Sequence, residues 1–295
     1  MCPAPRGPSH GRMNIPRRIF LATWVAIAGG VWAARAWRVS EVGTFGNIRT
    51  VMAFRPAWLP DGAVEDFRLS TVGADRFFQG RQWRGDKHSV SLEISPAKGP
   101  GADDNLLTVQ GIPMWIDREF DDICSVWRSL GQGLEANVGV VMANPRAAAT
   151  RVAASLVADG RTPCEVAMRF GWLPDTTPRD RFGIEMRHRR GEPLTQALSC
   201  YDSALGPARA WARVGPTEKA VLEDVSQTQV TDPVTVRGRL GMCAFKEPFG
   251  RVLVELSPGK WLCADVDGFR PPLGWAEMLR VVEEMWIGDV PAWLP

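Results

Sequence analysis

Trp-Leu-Pro-Asp occurs twice in this chain, at 58–61 and 172–175, each time behind an apolar run. Three further matches follow in the same order. LLTVQG (106–111) answers PVTVRG (233–238), VWRSLGQGLEANVGV (126–140) answers VLVELSPGKWLCADV (252–266), and PRAAATRVAASLVA (145–158) answers LGWAEMLRVVEEMWI (273–287). One short match is chance; four in order, at offsets that drift from 114 to 127, are the signature of an internal repeat. A repeat constrains the fold more than any composition does, because whatever one half builds the other must build too.

Each half reads as strands closed by a helix. Val90, Leu92 and Ile94 alternate with Ser89, Ser91 and Glu93, the period of a strand with one face buried. Ser257-Pro258-Gly259-Lys260 and Lys246 to Gly250 are turn sequences between apolar runs, so 233–267 is a meander. Met278, Val281, Val282, Met285 and Trp286 recur at helical spacing and form a core-facing stripe. The expected fold class is therefore α+β: a tandem duplication of a small antiparallel-sheet-plus-helix sandwich. The repeats fall at 48–160 and 163–295. Matching VSLEIS (90–95) to LTQALSC (194–200) leaves extra residues in the second half, so an insertion is expected over 201–232, with two short helices in it.

The head of the chain differs from its body. Residues 1–38 hold six arginines and no Asp or Glu, and the rest carries 29 basic and 33 acidic residues, a net of −4. A mildly acidic body lacks the field that nucleic acid requires, so no nucleic-acid partner is expected. Ile19 to Ala34 is sixteen residues without a charge, flanked by Arg17, Arg18, Arg35 and Arg38. A spanning helix needs about 20 apolar residues; Arg35 can snorkel and extend the span to Trp37. Residues 1–18 read as a basic cytoplasmic leader and 19–37 as a transmembrane anchor or signal helix. Ala34-Arg35-Ala36 fits a cleavage site, which makes a secreted body the alternative. Both readings put the body outside the cytoplasm under the positive-inside rule, the first as a single-pass protein of the cell membrane.

Catalytic motifs are scarce. The body has two histidines, His88 and His188, each among polar turn residues. In the body, G-x-S-x-G, G-x-x-x-x-G-K-S/T, H-E-x-x-H and C-x-x-C do not occur, and neither a cofactor nor a metal is expected. The densest acidic run is Asp117 to Asp122, and Arg187, Arg189 and Arg190 form a basic knot read as a solvated hairpin tip. Five body cysteines are an odd number for an oxidising compartment. Cys243 and Cys263 lie two strand spacings apart, about 9.6 Å, too far to bridge; Cys164 with Cys200 is the expected disulfide.

The function expected from this is a non-enzymatic, membrane-anchored extracytoplasmic module binding a partner protein or a cell-envelope component, protein or lipid. The alternative is an envelope hydrolase or transferase using Asp117, Asp121 and Asp122. Binding is expected at the insertion, where the copies diverge, with Arg209, Trp211 and Arg213 as the contact residues because Trp and Arg are enriched at hot spots.

Overall fold

The structure is a computed structural model. It describes residues 47–72, 77–101, 105–175, 181–188, 194–201, 208–222, 230–267, 269, 272–289 and 293. The leader and the anchor or signal segment at 19–37 lie outside the described residues. Among the described residues no helix is long and apolar enough to cross a membrane.

The first half contains β1 (Ile48–Val51), β2 (Phe54–Pro56), β3 (Val64–Val72), β4 (Gln79–Arg84), β5 (Ser89–Pro96), β6 (Asn105–Val109), β7 (Ile112–Glu119), β8 (Ile123–Gly131), β9 (Leu134–Val141), helix α1 (Pro145–Ala154) and β10 (Leu156–Ala158). The second contains β11 (Pro163–Val166), β12 (Met168–Arg169), β13 (Phe182–Arg187), β14 (Thr195–Tyr201), β15 (Ala208–Gly215), helix α2 (Glu218–Leu222), β16 (Asp232–Val236), β17 (Arg239–Lys246), β18 (Phe249–Ser257), β19 (Lys260–Val266), helix α3 (Trp275–Glu283) and β20 (Trp286–Ile287).

Fourteen of these strands form one antiparallel sheet in the order β16-β17-β18-β19-β15-β14-β13-β3-β4-β5-β9-β8-β7-β6. This corrects the expectation of two α+β sandwiches. The described helices have 10, 5 and 9 residues, and ten residues rise only about 15 Å, the width of about three strands. No helix layer can cover such a sheet. The protein is instead mostly β, with α1 lying on β8 and β9 and α3 touching β16 and β18.

The halves join edge to edge. At the seam β3 pairs with β13, from Val72 opposite Phe182 to Phe67 opposite Arg187. Outward from it the first half runs β3-β4-β5-β9-β8-β7-β6 and the second β13-β14-β15-β19-β18-β17-β16, the same order. An unpaired first strand would present a row of open N–H and C=O groups, and each half closes the edge of the other. Over the seam lies a ribbon of β1 and β11, also one strand from each half.

Position in this order makes β15 the counterpart of β5, and β14 that of β4. The strand at 89–96 is therefore answered by 208–215, not by 194–200. Residues 208–215 of the segment expected to be an insertion form a central strand, hydrogen-bonded on both sides.

Two features repeat with the topology. Gln79 on β4 and Gln196 on β14 are both buried, and their Oε1 atoms accept the Ala53 and Ala167 amides, each at 2.7 Å. Each holds its half's crossing chain onto the sheet. The two-residue turns Gln110-Gly111, Gln132-Gly133 and Arg237-Gly238 have positive φ at both positions, the hairpin geometry that matches strand twist.

One face of the sheet carries the main core. Val90, Leu92, Ile94, Val126, Val138 and Val140 pack under Ala149, Val152 and Ala153 of α1. Met278, Val281, Val282 and Met285 do the same in the second half. Trp286, expected in that stripe, is 40% exposed, because α3 ends at Glu283 and Trp286 belongs to β20.

Candidate functional site

The opposite face is where the two halves part company. Residues paired in register across antiparallel strands point to the same side. One such row runs Trp115, Trp127, Asn137, Glu93, Gly80 and Leu69 to the seam, then Glu185, Ala197, Arg213, Cys263, Leu253 and Met242. In the second half the middle of the row is covered, while Met242 at its end is 37% exposed. Val221 of α2 closes over Leu253 and Cys263, with Trp211, Leu222, Val230 and Trp261 around them. Among the described residues no helix lies on this face of the first half.

That face is aromatic and polar. The Trp115 and Trp127 indoles stack with centroids 6.5 Å apart and an interplanar angle of 8°. Beside them the Ser125 hydroxyl donates to Asn137 Oδ1 at 2.7 Å. Ser91 lies against Gly139, where a Cβ would come within 2.6 Å of its hydroxyl, so the glycine keeps the surface low at that point. Buried Glu135 accepts the Gly99 amide at 3.2 Å. Glu93 is exposed, yet desolvation by its surroundings raises its carboxyl above the ordinary value. Trp115 and Ser125 are themselves buried, so the groups within reach are the half-buried Trp127 indole and Asn137 amide and the exposed Glu93 carboxyl, which suit a ligand with an apolar face and hydrogen-bonding edges.

The residues singled out in the sequence lie elsewhere. Arg213 is buried, its guanidinium 3.2 Å from Glu185 and 4.9 Å from the Trp211 ring centroid. Trp211 is half-buried against the small apolar cluster under α2. Arg209 sits at the start of the same strand, its carbonyl accepting the Asp267 amide at 2.9 Å. These are interior parts of a central strand. Asp117, Asp121 and Asp122 are all exposed around the β7–β8 turn, and Asp117 is 3.8 Å from Arg118. Arg187 meets Glu185 at 3.4 Å, whereas Arg189 and Arg190 lie outside the described residues.

The expected disulfide is not formed. Cys164 and Cys200 are both buried thiols, and Cys164 Sγ lies 3.7 Å from the Ile184 carbonyl. Burial pushes the Cys164 thiol far up, out of reach of the thiolate at neutral pH. Cys243 and Cys263 belong to cores on opposite faces of the sheet. Among the described residues no group of three His, Cys, Asp or Glu is placed to hold a metal ion.

A charged cluster that the sequence reading missed sits at the seam. Arg68 is fully buried; it donates to Glu65 at 2.7 Å and to the Pro163 carbonyl at 2.9 Å. Arg81 donates to the other oxygen of Glu65, to Asp159 and to the Phe54 carbonyl. Burial raises the Asp159 carboxyl, but bonds from Thr162, Arg81 and the Arg161 amide outweigh it and hold the group below its usual range. Every named partner is internal, so this cluster fastens the chain crossing between the halves to β3 and β4.

The chain matches no family model, no curated protein and no solved structure.

Proposed function

We propose that this protein is a non-enzymatic, membrane-anchored extracytoplasmic module that binds a cell-envelope component or an envelope protein. The observation that carries this reading is the helix-free face of the first half, where stacked Trp115 and Trp127 adjoin Asn137, Ser125 and Glu93 while the same face of the second half is closed by α2. The membrane attachment rests on residues 19–37 and on the charge contrast between head and body. The hydrolase alternative draws no support from Asp117, Asp121 and Asp122, which are exposed to water around the β7–β8 turn rather than set in a cleft.

The test is co-sedimentation of the full chain, held in neutral detergent, with isolated cell envelopes. Binding should fall about tenfold or more in Trp127→Ala and in Glu93→Gln, each of which removes one contact of ordinary hot-spot size. A variant that melts like the parent and still binds fully would remove this face from the proposal. A reporter active only outside the cytoplasm, fused after Pro295, should be active; an inactive fusion of a stable protein would overturn the topology.

A further inference from the structure

We propose that the corner of the sheet between the β16–β17 and β18–β19 turns is a binding site for a phosphate-class anion, independent of the helix-free face. An open cavity of about 290 Å3 lies there, lined by Arg237, Arg239, Leu256, Ser257, Lys260 and Ile287. Three of these residues are cations and none is acidic. Among the described residues none of the three forms an ion pair. Arg237 Nη1 donates to the Met285 carbonyl at 2.6 Å and Lys260 Nζ to the Gly288 carbonyl at 2.9 Å. One bond fixes each head group and leaves its remaining N–H donors for a ligand.

Like charges gathered round one cavity repel, and the fold does not need them. The first half builds the same corner without them. By strand position and turn, Arg237, Arg239 and Lys260 are answered by Gln110, Ile112 and Leu134. Gln110 and Arg237 share a φ of 53°, each followed by a left-handed glycine. Leu134 is buried and Ile112 packs against the first-half core. One corner is thus filled with apolar side chains and the other is open and cationic, on the same backbone plan.

Guanidinium forks and an ammonium converging on one space suit a tetrahedral oxyanion with several acceptors, and the Ser257 hydroxyl is a further donor. The volume is near the lower end for small-ligand sites and leaves room for an ester substituent beside the phosphate. Trp286 stands next to the site. It is 40% exposed and its ring packs on Gly288, whose carbonyl holds Lys260. Two sources share this chemistry: a soluble phosphate ester, and the headgroup of an anionic phospholipid.

Inorganic phosphate and, separately, phosphatidylglycerol in neutral-detergent micelles are titrated into the full chain, followed by calorimetry. At least one should bind saturably, more weakly as salt is raised, and about tenfold more weakly in R239Q, as expected for one lost charge-assisted contact. The double variant R239Q/K260Q should bind more weakly still. Binding of inorganic phosphate identifies a soluble phosphate ester, and binding of phosphatidylglycerol alone identifies the headgroup. Arg239 is exposed and makes no described hydrogen bond, so R239Q should melt with the parent and gives a clean reading. No saturable binding of either probe, or undiminished binding in R239Q/K260Q, overturns the proposal.

Discussion

Arg68, Glu65 and Arg81 show how much a single backbone irregularity decides. In a regular strand residues 65 and 68 face opposite sides. The register of β3 on β4 shifts between Glu65 and Phe67, so Glu65 lies opposite Trp83 on the same side as Arg68. The bulge turns three charges that look like ordinary surface residues in the sequence into a buried network. No pattern of residue types announces it, which is why the seam cluster escaped the sequence reading. Replacing Glu65 by Gln keeps the shape but leaves Arg68 and Arg81 without their shared counter-charge. Breaking a buried pair in this way costs about 3–5 kcal/mol, to be read from urea unfolding. Asp159 adds a pH dependence. Its folded pKa is depressed, so its contribution is present above the ordinary aspartate value and is lost as pH falls through the lower folded one. Stability measured between about pH 5 and 2 should therefore drop less steeply in Asp159→Asn than in the parent.

The elements divide between what sequence reveals and what it conceals. Hairpin turns and the helices at 145–154 and 275–283 were legible, because turn residues and helical spacing are local signals. The partners of each strand were not, since pairing joins residues far apart. Matching 90–95 with 194–200 was a local likeness that the strand order overrules. The error displaced the expected binding residues Arg209, Trp211 and Arg213 from a surface insertion to a central strand. The two tryptophans that first marked the repeat are each capped by a guanidinium from the helix of their own half, Arg151 over Trp58 at 4.0 Å and Arg280 over Trp172 at 4.6 Å. Both rings are half-buried. Trp58→Ala and Trp172→Ala should each destabilise by about 2–3 kcal/mol, below the cost of removing a fully buried ring. Thermal unfolding checks this, and a change near zero in either would show that the ring is not part of its half's core.

At the scale of the whole sheet, the halves meet through β3 with β13 and β1 with β11. These are the first strands of each half, so each contact sets an edge against its own counterpart. A fragment of residues 47–160 would expose two such edges at once, and exposed edges seek strands. It should associate with itself, as sedimentation velocity would show, while the full chain in detergent stays a single copy through the same concentrations. A fragment that remains monomeric and folded would mean that the seam contributes little.

Joining like edges within one polypeptide has a further effect. Two separate copies meeting at such a seam would obey mass action and come apart on dilution. Here the partner arrives covalently, at an effective concentration that does not change with expression level. The two copies are also no longer bound to be identical. One could keep an open aromatic face while the other closed it, and one could keep an apolar corner while the other became cationic. A symmetric pair of subunits, encoded once, has to change both of its surfaces together.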